Sequence, residues 1–348
     1  MAMANGRGPT PIIVVSGFLG SGKTTLLRNL LLDPQAGEVA VIVNEFGEVG
    51  IDHHLVRKTD ARTTLLRNGC VCCSMRDDLA EALRDLLSQR ERGVIPHFSR
   101  VVVETTGLAD PAPILQTVVA EPVVRNHFRV ERVVATIDAV GGANNLDTFG
   151  EALRQVAAAD HVVVTKQDLA APGAIAALKL KLRNINPTAD VIDANFGRID
   201  FAPVFAEESR RGVAGRDWLG VNDRASFADP AAPESVHLTS GRVVSRCLEF
   251  DRPLNWHMFG IWLTMLLHQH GDRVLRLKGL LNIGEARGPL LLEGVQHVIH
   301  APRHLRAWPD ADRGSRIVFI VRDLDLAQVE ASLAAFQDLV FDGDVLLH

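Results

Sequence analysis

The chain has 348 residues, 47% of them hydrophobic and 23% charged, which is enough apolar material for globular cores and a length that suggests two domains. A formal net charge of −5 argues against a general binder of nucleic acid or anionic membranes, because such proteins present basic surfaces. No apolar run approaches the roughly 20 residues of a bilayer span, so neither a membrane nor a nucleic acid is expected as a partner.

Residues 1–10 read as a flexible tail. "MAMANGRGPTPIIVVSG" lacks a charged start followed by a long apolar stretch, so it is not read as a secretory signal, and the expected location is the cytoplasm. In a reducing compartment, clustered cysteines are more often metal ligands or redox groups than structural disulfides.

"PIIVVSG" is a short apolar strand that runs into a glycine-rich turn and then into "KTTLLRNLLL", with leucines on a helical face. The turn, "GFLGSGKT" at 17–24, fits G-x-x-x-x-G-K-[ST] in the strand–turn–helix context the motif requires. Its glycines, Gly17, Gly20 and Gly22, let the backbone wrap closely around phosphates, and the helix adds its positive end. Lys23 can reach the β/γ-phosphates, and the Thr24 hydroxyl can ligate Mg²⁺.

"EVAVIVNEFG" is a second buried strand, which leads into a loop. Next comes "NGCVCCSMRDDL" at 68–79, with three of the four cysteines. An amphipathic helix is expected from near Ser74, a candidate N-cap, through Leu79, Leu83, Leu86 and Leu87. "RVVVETTG", "RVVATIDAV" and "HVVVTKQD" are Val-rich strands with polar motifs at their carboxyl ends, and helical segments at 153–159 and 175–182 accompany them. Buried strands alternating with helices predict an α/β fold: a mostly parallel sheet covered on both faces, with its chemistry at the carboxyl ends of the strands.

In "VVVETTG", Glu104 is the carboxylate placed to bind Mg²⁺, and the Gly107 N–H can sense a γ-phosphate. In "TKQD", Asp168 can accept from both N1–H and N2–H of guanine, which favours GTP over ATP, while Lys166 lies along the base. "DANFG" at 193–197 is a candidate for closing the other side of the base.

Cys70, Cys72 and Cys73 can supply soft ligands to one Zn²⁺ or Cu(I), and a helix start favours the thiolates that metals require. A further ligand could come from Glu45, Glu48, His53, His54, the nucleotide region or water. A redox dithiol would show C-x-x-C, and inert burial suits one cysteine better than three. Cys247 lies in an alternating strand and is read as structural.

Residues 206–235 are polar, rich in Gly, Pro and Ala and aperiodic, as suits a linker between a nucleotide domain at 11–205 and a smaller α+β domain at 236–348. In the second domain "HLTSGRVVSRCLEF", "RVLRLKGLLNI", "LLLEGVQHVIH" and "RIVFIVRD" each read as one strand. Residues 256–267 and "LAQVEASLAAF" read as helices on one face of a mostly antiparallel sheet.

"SGFLGSGKTTLLRNLL", "NEFGEVGID", "NGCVCCSMRDDL", "VVVETTGLADPAPI", "TIDAV" and "TKQDL" occur in the order seen in the CobW-like P-loop GTPases, and the chain resembles that family from the P-loop into the second domain. The resemblance implies a GTPase that binds a transition metal, usually zinc, and delivers it to a client metalloprotein. It implies that Gly17, Gly20, Ser21, Gly22, Lys23, Thr24 and Thr25 hold GTP or GDP and Mg²⁺, with Lys23, Thr24 and Glu104 as the catalytic set. Glu104 and Gly107 sense the γ-phosphate, Lys166 and Asp168 hold guanine, and Cys70, Cys72 and Cys73, with Glu45 and Glu48, bind zinc.

Two departures stand out. Many relatives read E-N-E-F-G-E where this chain has Val43 before "NEFGE", and many carry a histidine-rich run that is absent here. His268 and His270 face different sides of a helix, and His297, His300 and His304 are spread along a strand and loop. Both groups are read as structural or solvated, which weakens cobalt handling in cobalamin biosynthesis (Co²⁺ as cargo) as an alternative. A passive zinc protein and a P-loop small-molecule kinase are the other rivals, and Asp168 argues against the kinase. Leu108 follows "TTG" where a glutamine could orient water, so hydrolysis is expected to be slow, well below the ~10 s⁻¹ typical of enzymes. Homo-oligomer formation is left open.

Overall fold

The computed structural model describes residues 8–43, 63–67, 75–194, 196, 198–205, 236–238, 241–284 and 288–339. The chain divides into two compact units, Met1–Lys179 with Asp190–Ala206, and Leu180–Ala189 with Glu207–His348.

The first unit is built on β1 (Thr10–Gly17), β2 (Val39–Val43), β3 (Thr63–Arg67), β4 (Arg100–Glu104), β5 (Phe128–Asp138), β6 (His161–Thr165) and β7 (Asp190–Asp193). They form one sheet in the order β3-β2-β4-β1-β5-β6-β7. Every described ladder in it is parallel. Strands covered on both faces need apolar residues at every position rather than at alternate ones. Ile12 to Val15 and Val101 to Val103 meet that need and are wholly inaccessible.

The described crossovers are helices: α1 (Lys23–Leu32), α2 (Met75–Glu91), α3 (Ala112–Ala120), α4 (Pro122–His127), α5 (Gly142–Thr148), α6 (Gly150–Ala158) and α7 (Pro172–Ile185, which passes into the second unit at Leu180), followed by a short α8 (Ala202–Phe205). On α1, Leu26, Leu27 and Leu30 pack against Ile13, Val15, Val41 and Val102 with Val204 and Phe205 of α8. Leu83 and Leu86 of α2 are buried completely, as their helical spacing predicts. Ser74, the expected cap of α2, lies outside the described residues.

The register brings the polar strand ends together. Val15 pairs with Glu104, Gly17 with Thr136, and Asp138 with Thr165. The end of β1 therefore lies between the ends of β4 and β5, where a ligand site is expected in an open α/β sheet. β3 and β7 were not anticipated from the sequence. Asp193, the first residue of the candidate base-closing stretch "DANFG", is the last residue of β7.

The second unit is a sheet of antiparallel pairs formed by β8 (Val236–Leu238), β9 (Gly241–Phe250), β10 (Val274–Leu281), β11 (Leu290–Val295), β12 (Val298–Ile299), β13 (Arg303–His304) and β14 (Ser315–Arg322). α9 (Trp256–His270) and α10 (Leu326–Asp338) complete it. Two stretches read as single strands are pairs of strands. "HLTSGRVVSRCLEF" divides into β8 and β9, and "LLLEGVQHVIH" turns back on itself at Gln296, which adopts φ +51°. Phe259, Trp262 and Leu266 pack over Leu277, Ile317 and Phe319, and the Trp262 indole donates to Ser332 Oγ at 2.9 Å.

Burial pushes the Cys247 thiol up to about 12, helped by Glu249 and opposed by Arg316 and a backbone hydrogen bond at Ile317. Cys247 is therefore held as a neutral thiol, unlike a metal ligand. Among the described residues no three or more His, Cys, Asp and Glu side chains cluster as a metal site, and no helix is long and apolar enough to cross a membrane.

Candidate nucleotide site

The loop between β1 and α1 is anchored to two neighbouring strand ends. Ser21 Oγ and Thr136 Oγ1 share a hydrogen bond of 2.6 Å, and Thr165 Oγ1 donates to Ser21 O at 2.7 Å. Lys23 Nζ spans the loop, donating to Gly17 O at 3.0 Å and to Phe18 O at 3.1 Å. Gly17 has φ +141°, and a Cβ there would run into the hydroxyl and carbonyl oxygens of Thr136 and lie 2.8 Å from Ser21 Oγ. Gly22 precedes α1 at φ +96° and offers no side-chain cap, so the positive helix end faces the loop. This cradle, which a Cβ at position 17 would invade and which ends in a lysine, fits a polyphosphate.

Thr24 Oγ1 donates to Glu104 Oε1 at 3.0 Å. The carboxylate is 3% exposed at the end of β4, and a hydroxyl beside a buried carboxylate is a donor set that suits Mg²⁺. Past Glu104 the chain stays against β1. Thr105 N–H donates to Val15 O at 2.9 Å, and the Thr105 hydroxyl donates to Ser16 Oγ at 3.1 Å. Gly107 follows, packed so closely on Leu19 that a Cβ would lie 2.8 Å from Leu19 Cα.

At the end of β6, Lys166 takes a left-handed conformation, φ +54°, which sends the chain into a short turn, Gln167–Leu169. Asp168 is exposed on that turn. Gln167 Nε2 ties the turn to Val164 O at 3.0 Å and to Asp193 Oδ1 at 2.6 Å, and Lys179 Nζ lies 2.7 Å from the same carboxylate. Burial works to raise the Asp193 carboxyl, but hydrogen bonds from Lys179 and Gln167 and the charge of Lys179 hold it below the usual carboxylate value. Asp193 thus braces the turn. Phe196, exposed at φ +51°, lines a cavity of about 850 Å³ with Thr25, Arg28 and Arg198. Asn195 and Gly197 lie outside the described residues.

The structure therefore brings Gly17, Gly20, Ser21, Gly22, Lys23 and Thr24 together with Glu104 and Gly107, and places Lys166 and Asp168 on the strand end that holds Ser21. Thr25 lies on α1 facing the cavity. Glu45, Glu48, His53, His54, Cys70, Cys72 and Cys73 lie outside the described residues. Sequence reasoning missed the hydroxyls of Thr136 and Thr165 and the amide of Gln167. Thr165 and Gln167 sit inside the quoted "TKQD" and Thr136 opens the quoted "TIDAV", but neither motif shows that its hydroxyl reaches Ser21.

The CobW/HypB/UreG nucleotide-binding domain profile matches residues 11–193, and the cobalamin synthesis protein cobW C-terminal domain profile matches 243–337. The chain is 33% identical over 329 residues to the zinc chaperone YjiA of Escherichia coli, covering 94% of this chain and 99% of that one. It is 28% identical to the zinc chaperone CobW of Pseudomonas aeruginosa, over 93% of this chain and 90% of that one. A crystal structure of Zn(II)-bound YjiA GTPase from E. coli superposes with a TM-score of 0.66 at 29% identity, covering 95% of this chain and 99% of that one.

Proposed function

Because the chain belongs to the CobW/HypB/UreG family of nucleotide-binding proteins, we propose that it is a cytoplasmic GTP-hydrolysing metallochaperone. Zinc is its cargo in this reading, held by Cys70, Cys72 and Cys73 with Glu45 or Glu48 and handed to a client metalloprotein. The observation that carries the nucleotide half is the Thr24–Glu104 hydrogen bond of 3.0 Å beside an anchored, lysine-bearing loop. Relatives named as zinc chaperones, together with three clustered thiols, support the metal half.

The chain's own residues divide the work. Backbone N–H groups of residues 20–24 and Lys23 bind the phosphates, and Lys23 neutralises charge that develops on them. Thr24 and Glu104 would hold Mg²⁺, which supplies Lewis-acid neutralisation of the phosphates when bound. Gly107 N–H meets the γ-phosphate. Lys166 and Asp168 select guanine. Leu108, half exposed beyond the sensor glycine, has no group to orient water, so intrinsic hydrolysis is slow.

Competition against a bound fluorescent GDP tests the nucleotide half. GTP is expected to displace it at least about 100-fold better than ATP, the value of roughly 2.7 kcal/mol. Equal displacement by ATP would favour the kinase reading.

A further inference from the structure

One buried polar side chain beside the site has no part in the scheme above. Gln155, on the inner face of α6, is 1% exposed. Its Nε2 donates to Gly107 O at 3.2 Å and to Ala109 O at 3.0 Å. The two carbonyls bracket Leu108, in the turn closed by Ala109 N–H to Thr106 O at 3.1 Å. Both neighbours are acceptors, so the amide must present its NH₂ to them.

The same helix grips further points around the site. Arg154 forms an ion pair with Asp110 at 2.9 Å, and Asp110 Oδ1 in turn accepts from Ala112 N–H at 3.0 Å at the start of α3. At the N-cap of α6, the Phe149 ring stacks on Phe18 of the phosphate loop, centroids 4.7 Å apart and planes 28° from parallel. One short helix therefore holds both the second residue of the phosphate loop and the far side of the Gly107 turn. β1 holds the near side through Thr105. Between these two attachments lie only Thr106 and the N–H and Cα of Gly107.

We propose that Gln155 is a positioning residue, which fixes the Gly107 turn against the phosphate loop so that the Gly107 N–H can discriminate GTP from GDP. The proposal rests on the GTPase reading and deepens it. A donor aimed in advance at developing charge is worth more than one that must first be ordered. Two hydrogen bonds from one amide order this turn without occupying the N–H that the phosphate needs. Removing them leaves the GDP contacts intact and loosens only the group that meets the third phosphate.

The test is Gln155→Met, which keeps length and apolar volume and removes both donations. The expected result is a folded protein with wild-type GDP affinity, a non-hydrolysable GTP analogue bound about tenfold more weakly, and kcat lowered by a similar factor, in line with the loss of one or two net hydrogen bonds. Gln155→Glu places an acceptor against two acceptors. Its affinity for the analogue should therefore recover as pH falls and the buried carboxyl takes up a proton it can donate, whereas wild type and the Met variant should show no such recovery. Should the Met variant fail to fold, Arg154→Met tests the same clamp at Asp110, with a smaller shift in the same direction. Loss of GDP and analogue affinity together in the folded variant, or of neither, would overturn the proposal. A wild type that binds no GTP would defeat the GTPase reading and this proposal with it. A wild type that prefers GTP, beside a variant with an unchanged GTP:GDP ratio, would defeat the positioning role alone.

Discussion

Replacing Gly107 by alanine is expected to lower GTP turnover about 100-fold, the loss seen when one donor to developing charge is removed, while GDP binding stays close to wild type. The reason is space rather than backbone conformation. A Cβ at 107 would meet Leu19 Cδ2 at 2.6 Å, Leu19 Cγ at 2.9 Å and Leu19 Cα at 2.8 Å. The leucine side chain is exposed and can swing aside, but its Cα belongs to the phosphate loop, which Lys23 and the Ser21–Thr136 pair hold in place. The turn must therefore retreat, at a cost of about 1–3 kcal/mol for overpacking, and the Gly107 N–H moves away from the γ-phosphate. Single-turnover hydrolysis and GDP titration of the variant measure the two quantities. Wild-type turnover in the alanine protein would remove Gly107 from the site.

The second large effect concerns the base. Asp168→Asn is expected to weaken GTP about 100-fold or more, because two charge-assisted hydrogen bonds to guanine N1–H and N2–H, each worth about 1.5–3 kcal/mol, cannot both be made by an amide. An asparagine offers one acceptor and one donor. That pair suits xanthine, which has N1–H and a carbonyl at C2, so the variant should prefer xanthosine triphosphate. Asp168 is exposed on a turn that Gln167 and Asp193 brace, so the substitution should leave the fold intact. Displacement titrations with the two nucleotides check the exchange of preference. Unchanged GTP binding would place the base elsewhere, and the cavity at Phe196 and Arg198 would be the next place to look.

The parts of the site that were legible in the sequence are local. A glycine turn and lysine in eight consecutive residues directly after an apolar strand, or a carboxylate closing a valine run, carry their geometry with them. Glu104 and the motifs "TIDAV" and "TKQD" could be placed at strand ends because a parallel sheet gathers those ends on one edge. Contacts between distant segments were not legible. Gln155 lies 48 positions from Gly107, and Thr136 lies 115 from Ser21, so no spacing rule connects them. β3, TTLLR, and β7, DVID, each hold only two apolar residues, without the valine runs that mark the equally short β2, β4 and β6. The β11–β12 turn escaped notice because Gln296, not Gly or Asn, takes the positive φ. The glutamine gives no composition signal for a turn.

In the proposed metallochaperone, nucleotide state would control the hold on zinc. The cysteine segment lies in sequence between "NEFGEVG" and the Gly107 turn, so the proposed metal ligands and the proposed γ-phosphate contact would be borne on linked stretches of chain. Zinc affinity should be measured by chelator competition on protein loaded with GDP or with a non-hydrolysable GTP analogue, with Cys72→Ala as the control. Zinc is expected to bind about tenfold more tightly with the analogue and to raise affinity for the analogue relative to GDP by the same factor, with both effects lost in the control. Equal zinc affinity in both nucleotide states, with analogue binding indifferent to zinc, would contradict this coupling and leave a passive zinc-binding protein.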